Sequence, residues 1–347
     1  MTQAERARKL VKQHGQNPTS YLVLEDDKHL YFGKATPGVI AYGIVGKTIV
    51  VCGDPVCAPD DFVNLLEEFK LFCVDSSCQC AFLGTTDAFL EQYTALGYSH
   101  IPYGEEARFH LASYQLTGRK MMRIRNQVNH AVKAGLTTHE YRPHENRDPA
   151  IEAEFHAISE QWLQSKKSSE LKFTVGSVCL EHPMDRRYFY ARDTSGHILA
   201  FHVFIPFADG NGYTAAITRR HTDAPRGVTE KLNYDAFMTF KEEDVAWGSL
   251  GLAPLANVCK EGEKHNTNVK LLNFVYEKCN CFYGFKALHQ AKRKYNPTTW
   301  RSGHFVYSTK NITPQMAYAI VKIQNPSGIR DYFRGFLADW QKSGITP

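Results

Sequence analysis

Apolar positions recur at two different spacings along this 347-residue chain, and the spacing switches several times. Near the start, MTQAERARKLVKQHG alternates charge on a helical pattern, which predicts a short helix over about 4–14. Four compact runs follow: YLVLEDD, LYFGK, VIAYGIVG and KTIVVCGDPV. Each is rich in aliphatic and aromatic residues and bounded by turn residues, so each is expected as a strand. DDFVNLLEEFKLFCVDS then returns to helical spacing, with Phe62, Leu65, Leu66 and Phe69 on one face and Asp60 as the candidate N-cap. A strand (QCAFLGT), a helix (DAFLEQYTALG) and a strand (EARFHLASY) complete this half.

The pattern partly repeats beyond YRPHENRDPA (141–150), whose prolines and charges read as a linker. A helix (IEAEFHAISEQWLQSKK) precedes the strands RRYFYARD, HILAFHVFIPF and GYTAAITRR. The segment TEKLNYDAFMTFKEE is helical again, WGSLGLAPL reads as strand plus loop, and KLLNFVYEKCN as a further helix. The expected class is α+β, a duplicated unit with mixed, largely antiparallel sheets: one domain over 1–140, a second over 141–310, and a helical extension over 311–347.

Composition adds bounds. Hydrophobic residues make up 43% and charged residues 22%, the mix of a folded chain, and 41 Lys+Arg against 36 Asp+Glu is only mildly basic. No apolar run is long enough to cross a bilayer as a helix. The MTQAERARKLVKQHG segment has no apolar core of the kind a secretory signal needs, so any membrane contact is expected from the side. Nine cysteines in such a chain read as reduced thiols of a cytosolic compartment. The pairs Cys78/Cys80 and Cys279/Cys281 lack the C-x2-C spacing of a zinc site, so no metal is expected. Phosphate-loop, dinucleotide, zincin and serine-elbow motifs are all missing, and no cofactor is indicated.

Charge clusters where the total does not. RKMMRIRNQVNHAVKAG (119–135) carries Arg119, Lys120, Arg123, Arg125 and Lys133 without one acid. Met121, Ile124, Val128, Ala131 and Val132 recur at helical spacing, and Gly135 stands where a C-terminal cap belongs. An ordinary surface helix would mix in glutamates for i,i+4 support. This one reads as a helix built to meet an anion. Arg219 and Arg220 end a strand that opens into a Pro/Gly loop, a common place for functional side chains. Lys292, Arg293 and Lys294 are consecutive, so on a helix they fan across roughly 200° and cannot share one ligand. Asp54, before Pro55, is either a turn residue or a polar group at a pocket mouth. Near the C-terminus, Phe333, Phe336 and Trp340 share an aromatic face flanked by Arg330, Arg334 and Lys342. That face suits packing on the second domain or contact with lipid.

The order of these segments resembles a known family. KHLYFGKATPGVIAYGIVGKTIVVCGDPV, YGEEARFHL, GRKMMRIRNQVNHAVKAGL, ISEQWL, GHILAFHVFIPF, TRRHTDAPRGVTEKL, WGSLGLAPLANV and FYGFKALHQAKRKYNP look like blocks of the catalytic region of the phosphatidylglycerol lysyl- and alanyltransferases, the multiple peptide resistance factors. The likeness covers roughly residues 18 to 308. It implies two tandem acetyltransferase-like (GNAT-type) domains, and transfer of an aminoacyl group from aminoacyl-tRNA to a hydroxyl of a membrane lipid at the inner face of the membrane, most simply phosphatidylglycerol, with a sterol or another lipid as the alternative acceptor. It implies Arg219 and Lys292 as catalytic cations, Arg220 and Lys294 as supporting ones, Glu106 and Asp54 at the substrate site, and the basic helix on tRNA phosphates. Two departures stand out. Ala216 occupies a position where many members carry an aspartate, which leaves the amino acid and the proton acceptor open. These 347 residues do not include the multi-span membrane portion that precedes this region in the large members, so either an excised catalytic domain or a freestanding version is expected. An acyl-CoA transferase would need a glycine-rich turn that GRKMMRIRN and RGVTEKL match poorly. A basic module docking tRNA or anionic membrane without chemistry is the third reading.

Overall fold

A computed structural model describes residues 1–165, 172–254 and 285–324. In chain order the elements are α1 (Gln3–His14), α2 (Pro18–Tyr21), β1 (His29–Phe32), β2 (Gly38–Val45), β3 (Thr48–Cys52), β4 (Val56–Cys57), α3 (Phe62–Asp75), β5 (Gln79–Thr86), α4 (Leu90–Ala95) and β6 (Ser99–His110). Then come α5 (Met122–Lys133), β7 (Thr137–Tyr141), α6 (Pro149–Gln164), α7 (Lys172–Val175), β8 (Arg187–Arg192), β9 (Ile198–Phe207), β10 (Gly212–Arg220), α8 (Val228–Glu242), β11 (Trp247–Pro254), α9 (Phe285–Arg293), β12 (Thr299–Tyr307) and α10 (Pro314–Gln324).

The class is α+β, and the duplication read from the sequence is visible in the strand order. In the first half β1, β2 and β3 run antiparallel, then α3 carries the chain over to β5, parallel to β3. In the second half β8, β9 and β10 run antiparallel, then α8 carries it over to β11, parallel to β10. The terminal strands are exchanged. β6, from the first half, pairs with β11, and β12, from the second, pairs with β5. β6 and β12 pair with each other at the centre, so a single sheet runs β1-β2-β3-β5-β12-β6-β11-β10-β9-β8-β7. Helices cover both faces over apolar clusters such as Phe62, Leu66, Phe69 and Phe82 on one side of the first half. In the second half Phe109, Leu232, Phe237 and Phe240 do the same.

Local chemistry explains where expectation and structure part. YLVLEDD does not form a strand: Asn17 caps the backbone N–H of Ser20 at 3.2 Å and Pro18 takes the first helical position. That starts helical turns running to Leu24, with Tyr21, Leu22 and Val23 buried. Asp60 is not the cap of α3; it sits in a 3-10 turn that Pro59 opens, and Asp61 holds the N-cap position without a side-chain bond. The basic helix begins at Met122 rather than Arg119 and ends as expected. Gly135, at φ +76°, donates to Val132 O, and Leu136 donates to Ala131 O. Val132 leaves the apolar stripe and is 54% exposed, because it lies 100° round the helix from Ala131, past the face that α8 covers.

Candidate active site

The parallel pairing of β10 with β11 lasts only from Gly212/Trp247 to Thr214/Ser249. Beyond it the strands part. β10 follows β9 to Arg220, with a bulge between Ala215 and Ile217, while β11 follows β6, with a bulge between Ser249 and Leu252. A cavity of about 1040 Å³ opens at this split and extends to the first half of the chain, where Asn17, Thr19, Asp54 and Thr86 line it.

The bulge on β11 organises the chemistry. Gly251, at φ +74°, adopts a left-handed conformation that a side chain would strain, and this turns its carbonyl out of the ladder. Lys292, near the end of α9, donates through Nζ to Gly251 O at 2.9 Å and Leu252 O at 2.8 Å. The amine is buried, and burial pulls its pKa down to about 7, Glu106 opposing the fall. Glu106 in turn secures the bulge. It accepts from Ser249 Oγ at 2.6 Å and from Arg108 Nε at 3.0 Å, and Ser249 Oγ accepts the Gly251 N–H at 2.9 Å. Five residues on two strands, β6 and β11, thus fix one amine.

Arg219 enters from the other arm of the split. It is 5% exposed, its guanidinium carbon stands 3.9 Å above the ring centroid of Trp162, and one N–H reaches the Thr218 carbonyl at 3.2 Å. Stacking on indole holds the fork flat while leaving its charge beside the cavity. Asp54 lies at the opposite end. Its carboxylate accepts from the Thr86 N–H (2.9 Å) and hydroxyl (2.8 Å) and from Tyr93 (3.4 Å), and burial pushes its pKa up to about 6.

The cavity therefore collects Arg219, Lys292, Glu106 and Asp54. Arg220 and Lys294 are not among its lining residues; both are exposed. Alternation along β10 sends Arg220 to the face opposite Arg219, and the helical fan separates Lys294 from Lys292. Arg119 and Lys120, in the turn before α5, and Arg123 and Lys133, on it, are exposed, whereas Arg125 is spent on the preceding loop, donating to Leu116 O at 2.7 Å and Gly118 O at 3.2 Å. Phe333, Phe336 and Trp340 lie outside the described residues, as do Cys279 and Cys281. Among the described residues, no helix is long and apolar enough to cross a membrane.

Sequence reasoning missed Trp162, Gly251, Glu230, Asn233 and Tyr295, all at or beside this cavity. One of them left a signal: Asn233 interrupts an otherwise apolar face of Val228, Leu232, Ala236, Phe237 and Phe240 on α8.

A family model described as "Phosphatidylglycerol lysyltransferase, C-terminal" matches residues 8–307. The chain belongs to the phosphatidylglycerol lysyltransferase C-terminal family. A phosphatidylglycerol lysyltransferase from Bacillus subtilis is 28% identical over 308 residues, which is 87% of this chain and 35% of that protein. The chain thus spans about a third of the length of this relative. Among solved structures, a C-terminal domain from Agrobacterium fabrum assigned to a lysylphosphatidylglycerol synthetase superposes with TM-score 0.79 at 24% identity, covering 94% of this chain and 98% of that one. L-PGS from Bacillus licheniformis gives TM-score 0.79 at 22% identity, covering 92% and 95%.

Proposed function

We propose that the chain transfers an aminoacyl group from aminoacyl-tRNA to a hydroxyl of phosphatidylglycerol. The observation that carries the reading is Lys292: a buried amine, pinned by two carbonyls, on the wall of the cavity that Arg219 also enters. A neutral amine has two N–H bonds and one lone pair. With both N–H bonds engaged by Gly251 O and Leu252 O, the lone pair is left to accept a proton.

The chemistry is then a balanced transesterification. The lipid hydroxyl oxygen attacks the ester carbonyl carbon as its proton passes to Lys292. The carbonyl becomes a tetrahedral oxyanion, which Arg219 stabilises. Collapse breaks the bond to the terminal ribose oxygen of tRNA, which takes the proton back from Lys292. An activated ester needs little more than such positioning. Lys292 thus supplies the proton acceptor that the alanine at position 216 left unassigned.

Glu230 suits the ammonium of the aminoacyl group. It lines the cavity from the first turn of α8, half-buried, whereas Glu106 is committed to Arg108 and Ser249. The same carboxylate disfavours an acyl-CoA donor, whose pyrophosphate would meet negative charge at that helix N-terminus. Arg119, Lys120, Arg123 and Lys133 would hold tRNA phosphates beside the mouth: α5 packs on α8, where a Cβ at Gly227 would stand 1.9 Å from Gln127 O. In this reading the chain meets the lipid head group from the surface of the bilayer.

The test supplies radiolabelled aminoacyl-tRNAs and vesicles containing phosphatidylglycerol, then counts the extracted lipid. Label in lipid, lost on replacing Lys292 by Met, is the expected result. No label with any aminoacyl-tRNA would overturn the reading.

A further inference from the structure

Three buried groups run inward from the cavity wall beside Lys292. Tyr295 lies one helical turn beyond that lysine, its backbone N–H reaching Lys292 O at 3.1 Å, and it lines the same cavity. Its hydroxyl receives Asn233 Nδ2 at 3.1 Å, and Asn233 Oδ1 faces His202 Nδ1 at 3.0 Å. Tyr295, Asn233 and His202 are 5%, 4% and 0% exposed. None is needed to fill a hydrophobic role that Phe, Leu and Val would not fill better. Burying three polar side chains costs free energy unless they are bonded to one another, and their retention beside the reacting groups asks for a reason.

The direction of the chain can be decided. His202 is neutral, since burial pulls its pKa down to about 4, so one ring nitrogen carries a proton and the other a lone pair. Among the described residues, Nε2 is buried without a partner. A stranded N–H is costlier and rarer than a stranded acceptor, which places the proton on Nδ1. Nδ1–H then donates to Asn233 Oδ1, and the amide must turn its NH2 to Tyr295. The phenol oxygen is thereby occupied as an acceptor, and its own proton is left to be donated on the cavity side. Burial also holds the phenol well above its ordinary pKa, with Glu230 adding to the rise, so that proton stays in place.

We infer that Tyr295 is a third catalytic group, a neutral hydrogen-bond donor to the carbonyl oxygen of the ester under attack, and that Asn233 and His202 are positioning residues that aim it. This rests on the transferase reading above and extends it: the oxyanion receives a charged donor, Arg219, and an uncharged one whose direction was fixed before substrate arrives. Bonds pointing the same way polarise one another, so the phenol is a stronger donor than an isolated tyrosine. A donor of this kind acts on the transition state rather than on binding, because the oxygen it serves gains charge only as the reaction proceeds.

The experiment is a double-mutant cycle on the full chain, with aminoacyl-tRNA and phosphatidylglycerol vesicles as substrates. Tyr295→Phe removes one oxygen and is expected to lower kcat about 100-fold, with KM for aminoacyl-tRNA within about threefold. Asn233→Ala is expected to lower kcat by about tenfold in the parent and to add nothing in the Tyr295→Phe background, because it acts only through the phenol. A purely structural Asn233 would cost the same in both backgrounds, and that result overturns its positioning role. Unchanged kcat in Tyr295→Phe, with the parent active, overturns the proposal alone. An inactive parent removes the transferase reading and the proposal together.

Discussion

At Lys292 the amine exchanges water for two carbonyls, and the resulting pKa of about 7 sets a pH dependence with a definite sign. A base must be neutral, and the neutral fraction grows as pH rises through that value. Transfer should climb about tenfold per pH unit on the acid side and level off above about pH 7.5, as initial rates across pH 5.5–8.5 will show. Lys292→Arg keeps a charge but never releases it in this range, so it should be inactive at every pH, with a loss of about 10²–10⁴ in kcat. Glu230→Gln tests a different atom. If its carboxylate meets the ammonium, the variant should raise KM for aminoacyl-tRNA with a smaller change in kcat, a split that steady-state kinetics resolves. In the sequence Arg219 stood beside Arg220 at a strand end and Lys292 in a run of three consecutive cations, and only the family resemblance singled out these two. Gly251 was not: a glycine's left-handed turn acquires meaning only when a lysine from another element reaches its carbonyl.

At the scale of elements, α5 separates two kinds of arginine. Arg123 and Lys120 are exposed, so reversing both to Glu should weaken tRNA binding strongly at low salt and reduce its salt dependence, with the fold unchanged. Arg125 is half-buried and holds the Leu116 and Gly118 carbonyls. Arg125→Ala should cost about 1–3 kcal/mol of stability, read by thermal or denaturant unfolding, and alter tRNA binding less. The periodicity of the segment revealed the helix and its glycine cap, because both depend on residues a few positions apart. It could not separate Arg125 from its neighbours, since the carbonyls that claim it belong to a loop whose path the pattern does not encode. The failure at YLVLEDD has the same root in reverse: a local cap, Asn17 with Pro18, overrode a run of residues that otherwise favours strand.

Over the whole molecule the two halves are bound by more than their sheet. Arg186 and Glu25, with side chains 0% and 1% exposed, pair at 2.6 Å across them, and Ser177 adds a hydrogen bond to the same carboxylate. Glu25→Ala strands a buried guanidinium and should destabilise the fold by about 3–5 kcal/mol, visible as a lowered denaturant midpoint. Glu25 and Arg186 lie far apart in sequence, and nothing in either segment announced the pair. The sequence did show duplication, yet it could not show which strands would exchange: Thr299–Tyr307 carries no alternation that announced a strand, and its pairing with β5 and β6 joins segments far apart in the chain.

That exchange has a consequence in time. A ribosome releases β5 with one edge open, and the strand that closes it, β12, is made roughly 200 residues later. At about 5–20 residues per second the edge waits on the order of 10–40 s, a period in which an unpaired strand invites association with other nascent chains. The wall of the cavity that carries Lys292 and Tyr295 immediately precedes that last strand. Until synthesis is nearly finished the chain can neither close its sheet nor seat the Lys292 amine on the Gly251 and Leu252 carbonyls, so a half-made copy has no completed cavity.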